Sequence, residues 1–134
     1  MGWFAFALAH GYRNDWRTRH ALSGQLSLRK IAFTVEGEIG SVLECNCSHC
    51  KRKGYLLWFV QREAFHLTTS PADIQTYTFN RHVINHHFCD VCGCAPFAEG
   101  KDAKGNPTAS INVRCLEGVE PSALKITQFD GRSR

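Results

Sequence analysis

The stretch Ile31-Ala32-Phe33-Thr34-Val35-Glu36-Gly37 sets the reading of the fold. Ile31, Phe33 and Val35 alternate with Ala32, Thr34 and Glu36, the period-two pattern of a half-buried strand, and Gly37 closes it. The next apolar run, Ser41–Cys45, reads as its partner across the Glu36-Gly37-Glu38-Ile39-Gly40 connection. Tyr55–Val60 is continuously apolar and aromatic, which predicts a strand covered on both faces. Short strands are then expected at Phe65–Leu67, Gln75–Phe79, Val83–Phe88, Ala109–Val113 and Lys125–Phe129. Ser70-Pro71 and Asn80-Arg81 supply turns, and Pro121–Leu124 a helical turn. Many short strands with glycine-bearing connections predict a mainly β fold in a single domain.

Upstream of Ile31 the pattern changes. Residues 1–24 mix aromatics with arginines and show neither alternation nor helix caps, so they read as an atypical N-terminal segment ahead of a domain spanning 25–134. The apolar run from Gly2 to Ala9 lacks a basic flank and is too short to cross a bilayer. Phe6 stands where myristoylation wants Ser or Thr. A soluble protein with no membrane partner is expected.

The chain has 134 residues, a net charge of +4 and 43% hydrophobic residues, an ordinary globular composition. Nucleic-acid binding would want a larger basic stripe with interleaved aromatics, so no nucleic-acid partner is expected. Lys51-Arg52-Lys53 instead puts local positive charge directly after a cysteine cluster. There are seven cysteines, an odd count, and three crowd into Cys45-Asn46-Cys47-Ser48-His49-Cys50. That is a poor disulfide framework and a good set of metal ligands for a reducing compartment, which predicts the cytoplasm.

Zinc favours tetrahedral sulfur and nitrogen ligands, and catalytic sites often keep three protein ligands and an open fourth position. Cys45, Cys47 and Cys50 supply three thiolates on one short turn, and His49 is either a fourth ligand or a neighbour. A second motif, Cys89-Asp90-Val91-Cys92-Gly93-Cys94, is a zinc-knuckle turn whose glycine permits the tight backbone. Cys94, His86 and His87 are the nearby candidates for completing it, and Cys115 reads as a buried structural thiol. Asn112 and Arg114 are either substrate-facing groups or plain strand residues.

The stretches I-A-F-T-V-E-G, C-N-C-S-H-C, N-R-H-V-I-N-H-H-F-C-D-V-C-G and I-N-V-R-C-L-E-G-V resemble the family of glutathione-dependent formaldehyde-activating enzymes, which includes centromere-protein-V-type proteins. The resemblance implies a β-tent zinc fold with a catalytic-type zinc on Cys45, Cys47 and Cys50. It also implies a structural-type zinc with Cys89 and Cys92 as half of its ligands. The implied reaction makes or breaks a carbon–sulfur bond between an aldehyde and a small thiol such as glutathione, as a carbon–sulfur lyase would. A non-catalytic zinc-binding interaction module is the rival reading.

One departure concerns the structural site. The family completes it with an upstream C-x-C in a context such as S-C-H-C-G-K. Here that place reads Gln25-Leu26-Ser27-Leu28-Arg29-Lys30, and leucine cannot ligate zinc. Codons AGC TGT CAC TGC GGC, read one base earlier after a C, give CAG CTG TCA CTG CGG, which encodes Q-L-S-L-R. The segment therefore matches a one-base frameshift of the family motif, with true divergence as the alternative.

Overall fold

Alternation along the strands sorts side chains into two layers, and aromatic residues fill the space between them. The computed structural model describes residues 21–25 and 31–134. Leu26 and Leu28, and residues 1–20, lie outside the described residues. Ten strands are described: β1 (Ala21–Gln25), β2 (Ala32–Glu36), β3 (Ser41–Cys45), β4 (Leu57–Gln61), β5 (Phe65–Leu67), β6 (Ile74–Tyr77), β7 (Asn85–Cys89), β8 (Phe97–Lys101), β9 (Pro107–Asn112) and β10 (Lys125–Phe129). The one described α-helix, α1, spans Ser48–Lys53.

Strands β1, β2 and β5 form a three-stranded antiparallel sheet. The other seven form a sheet in the order β10-β3-β4-β9-β8-β7-β6, antiparallel except where β10 runs parallel to β3. The mainly β, single-domain expectation is met. Strand β1 crosses the expected boundary at residue 25, with Leu22 opposite Val35 and Gly24 opposite Phe33.

Two expectations are corrected. Strands β2 and β3 do not pair: β2 is flanked by β1 and β5, and β3 by β4 and β10. Gly37, at a positive φ of 136°, turns the connection out of one sheet and into the other instead of closing a hairpin. Strand β4 is not covered on both faces, since Trp58 is 6% exposed and Phe59 is 54% exposed. Strand β8 was not anticipated, because Phe97-Ala98-Glu99-Gly100-Lys101 carries no clean alternation.

Ile31, Phe33 and Val35 are fully buried, as their alternation predicts. Phe33 and Phe65 from the small sheet meet Phe97 from the large one, with Phe65 and Phe97 ring centroids 4.3 Å apart. Val42, Leu56, Trp58, Ala109, Ile111, Val113 and Leu116 complete this core. Each large apolar side chain taken from water contributes about 1.5–3 kcal/mol. Gly24 is buried under the Phe33 ring, where any Cβ would collide with the ring. Through Val42 and Trp58 this core anchors β3 and β4, and β3 delivers Cys45 to the turn that leads into α1.

Candidate metal centre

Cys45 is the last residue of β3, Cys47 caps the N-terminus of α1, and Cys50 lies inside that helix. The helix starts where it does because the Cys47 sulfur accepts the Cys50 N–H at 3.3 Å, the role a serine or aspartate oxygen usually plays. It stops at Gly54, whose left-handed backbone (φ 69°) lets its N–H reach the Cys50 carbonyl at 2.9 Å. Lys51, Arg52 and Lys53 occupy the last turn, where positive charge suits the helix dipole. Arg114 donates to the Gly54 carbonyl at 3.0 Å and pins this end of the helix to the strand network.

This strand-to-helix turn brings three sulfurs together. The ligand atoms of Cys45, Cys47 and Cys50 all lie within 4.8 Å of one another. Backbone N–H groups already point at two of them, since Cys47 N–H reaches the Cys45 sulfur at 3.4 Å. Burial pushes the Cys47 thiol up, but the N–H groups of Cys50 and His49 and the neighbouring thiols outweigh it, so its pKa is lowered overall. Cys50 goes the other way: burial first, then the Cys47 and Cys45 sulfurs, raise it well above the ordinary thiol range. Three thiolates this close repel one another unless a cation sits between them, and soft sulfur donors suit such a metal ion. The triad is positioned to bind a metal ion.

The end of the chain closes over the triad. Asn46 donates its backbone N–H to the Phe129 carbonyl at 3.2 Å and its side-chain amide to Asp130 at 2.9 Å. The Arg132 N–H returns to the Asn46 side-chain oxygen at 2.9 Å. Between these anchors Gly131 packs against Cys45 and Cys47, where any Cβ would overlap the Cys45 sulfur. The Asp130-Gly131 pair carries no local signal beyond that of a turn-forming dipeptide, and the sequence alone assigned it no role.

His49 does not join the sulfurs. Its Nε2 lies 3.3 Å from the Tyr55 hydroxyl, and its ring packs edge-on to His86. Tyr55 packs in the same buried cluster as Cys50, and burial together with the Cys50 charge pushes its hydroxyl up to about 12. Burial, then the His49 and His87 rings, lowers His86 to about 4. A cavity of about 330 Å³ is lined by His49 and, among others, by Tyr55 and Phe88, which also belong to the cluster around the triad.

The second cysteine motif forms its turn. Cys89 is buried at the end of β7, the Val91 N–H reaches its sulfur at 3.4 Å, and Gly93 turns the chain at φ 76°. Cys92, Cys94 and Cys115 pack around Cys89 and Ile31. The Cys115 thiol is pushed up to about 12 by burial, then by Cys94 and Cys92. Among the described residues, Cys89 and Cys92 belong to no set of three ligand atoms as close as the triad. Neither histidine joins them: His87 is held by Thr76 at 2.9 Å and Glu99 at 2.7 Å, and His86 stacks on Phe79. Asn112 is a structural residue, donating to the Ala95 carbonyl at 3.1 Å from a buried position. Among the described residues no helix is long and apolar enough to cross a membrane.

Residues 22–129 match the sequence model of the family described as glutathione-dependent formaldehyde-activating enzyme. The fold is also that of a Rhodobacter sphaeroides protein of known crystal structure, with a TM-score of 0.68 at 22% identity. That match covers 78% of this chain and 99% of the other.

Proposed function

Since the chain belongs to the glutathione-dependent formaldehyde-activating enzyme family, we propose that it joins or separates a small thiol and an aldehyde at a zinc ion held by Cys45, Cys47 and Cys50. The observation that carries this is the convergence of three sulfurs with no fourth side-chain ligand in the same group among the described residues. Zinc on three thiolates supplies an open position and lowers the pKa of a thiol brought to it.

The chain's own residues supply the rest. Peptide N–H groups of the 45–50 turn donate to the sulfurs and moderate their charge. The hydrogen-bonded His49–Tyr55 pair presents a polar edge beside the triad. Lys51, Arg52 and Lys53 line the exposed side of α1 and attract an anionic thiol such as glutathione. In the forward direction the carbon–sulfur bond forms as the carbonyl π bond breaks, and the S–H proton ends on the former carbonyl oxygen. The reverse is a carbon–sulfur lyase reaction. Free thiols at these positions suit a reducing, cytoplasmic setting.

The test is cobalt substitution. Adding glutathione to the cobalt protein is expected to shift its sulfur-to-metal absorption bands, and Cys47→Ser is expected to abolish the spectrum. Bands that stay fixed at saturating thiol would mean a fourth protein ligand, and the protein would be a non-catalytic zinc-binding module.

A further inference from the structure

We propose that the cavity beside the triad holds the body of an aromatic aldehyde bearing an anionic group, so that the electrophile is larger than a one-carbon carbonyl. This rests on the carbon–sulfur reading above for what happens at the sulfurs. Occupancy of the cavity is a separate matter with its own measurement.

Size is the first argument. The cavity measures about 330 Å³. An apolar cavity of about 150 Å³ already holds benzene, whereas a molecule of water size takes about 30 Å³. A one-carbon aldehyde would leave this space almost empty, while a substituted benzene ring fills it.

The walls are the second. Register across β6 and β7 sets Tyr77 opposite His86. Phe79, which is not itself on the lining, stacks on Tyr77 at 5.7 Å and 17° and on His86 at 5.3 Å and 26°, and so holds these two lining rings together. His49 closes this group from α1, 5.2 Å from the Tyr77 ring centroid. Such faces accept another ring in offset or edge-on contact. Tyr77 is 46% exposed, so the wall is open to an incoming molecule on that side.

Charge is the third. Among the described residues Lys53 is the one lysine or arginine on the lining, 5.5 Å from the Phe88 ring centroid, and none of the described lining residues is a carboxylate. Buried His86 is neutral at pH 7. An aryl carboxylate matches one cation beside aromatic walls. A tripeptide thiol does not, because its ammonium group would find no carboxylate there. The thiol therefore approaches from outside this cavity, and the aldehyde occupies it. The adduct forms with the same balance as above: one C–S bond gained, one carbonyl π bond lost, and the proton transferred from sulfur to oxygen.

The experiment titrates the zinc-loaded full chain with 4-(hydroxymethyl)benzoate, an unreactive stand-in for the aldehyde, by ligand-detected NMR. Saturable binding is expected, weakened about tenfold by Lys53→Ala and also by Tyr77→Ala, with zinc content unchanged in both. Uncharged benzyl alcohol should bind the wild type more weakly and be insensitive to Lys53→Ala. A separate protein-observed spectrum of the wild type, read at the His86 and Phe88 ring protons, locates the site even if a variant misfolds. No saturable binding, or shifts that spare those rings, overturns the proposal. If the probe binds as expected while thiols leave the cobalt spectrum unchanged, the cavity assignment stands and the carbon–sulfur reading falls.

Discussion

Gly131 lies directly against the sulfur of Cys45, and a side chain of any kind at that position would overlap it. The contact joins the segment after β10 to the first cysteine of the triad, and the hydrogen bonds that tie Asn46 to Phe129, Asp130 and Arg132 bracket that glycine. Gly131→Ala is expected to push the Cys45 sulfur away from the other two and weaken metal affinity about 10- to 100-fold, as supporting-shell changes do. Competition against a chromophoric chelator reads this directly. An affinity within twofold of wild type would mean the tail yields and plays no part in shaping the site.

Metal stoichiometry separates the two cysteine motifs. About one zinc per chain is expected, lost in Cys47→Ser and retained in Cys92→Ser, because a knuckle with two thiolates lacks the remaining ligands of a tetrahedral site. Replacing Leu26 and Leu28 together by cysteine is expected to raise the count to about two. Elemental analysis with native mass spectrometry measures both. A wild type with two zincs would show that Cys94 or Cys115 completes the knuckle. Sequencing the gene across codons 25–30 tests the frameshift, and codons that do not read S-C-H-C-G when shifted by one base would end that idea.

Protonation of His86 should cost stability. Its folded pKa of about 4 lies below the ordinary value of 6.5, so the unfolded chain binds the extra proton first as pH falls. Stability is therefore full above about pH 6.5 and declines as pH drops from there towards 4, by on the order of 2 kcal/mol from this residue. The urea midpoint of wild type minus that of His86→Phe, followed from pH 7.5 to 4.5, isolates the effect from carboxylate and thiolate protonation. A difference that does not change with pH would contradict it.

Gly24 tests the junction between β1 and the core. Gly24→Ala drives a methyl group into the Phe33 ring, and overpacking of this kind costs about 1–3 kcal/mol. Adding Phe33→Leu should recover part of that loss, giving a favourable coupling in a double-mutant cycle. Strictly additive losses would mean that β1 shifts away instead of pressing on the ring.

Local signals in the sequence located many of the elements but not their partners. The alternation of Ile31, Phe33 and Val35 and the boundaries of β3, β5 and β10 were legible because each strand carries its own pattern. The pairing of β2 with β5, and of β3 with β4 and β10, was not, because a short glycine-bearing connection looks the same whether it closes a hairpin or passes between sheets. The triad was visible because its ligands sit within one turn. The cavity was not, since Tyr77 and His86 meet only through β6–β7 register and His49 reaches them from a helix far away in sequence.

The parallel pairing of β10 with β3 has a consequence for how the protein is made. The Asn46 side chain donates to Asp130 across 84 residues and accepts from the Arg132 N–H across 86. A ribosome therefore releases Cys45, Cys47 and Cys50 long before it has synthesised the segment that covers them. During that interval the nascent thiols are open to oxidants and to any thiophilic metal in the cell. Which ion the triad takes up then depends on the order in which metal and β10 arrive.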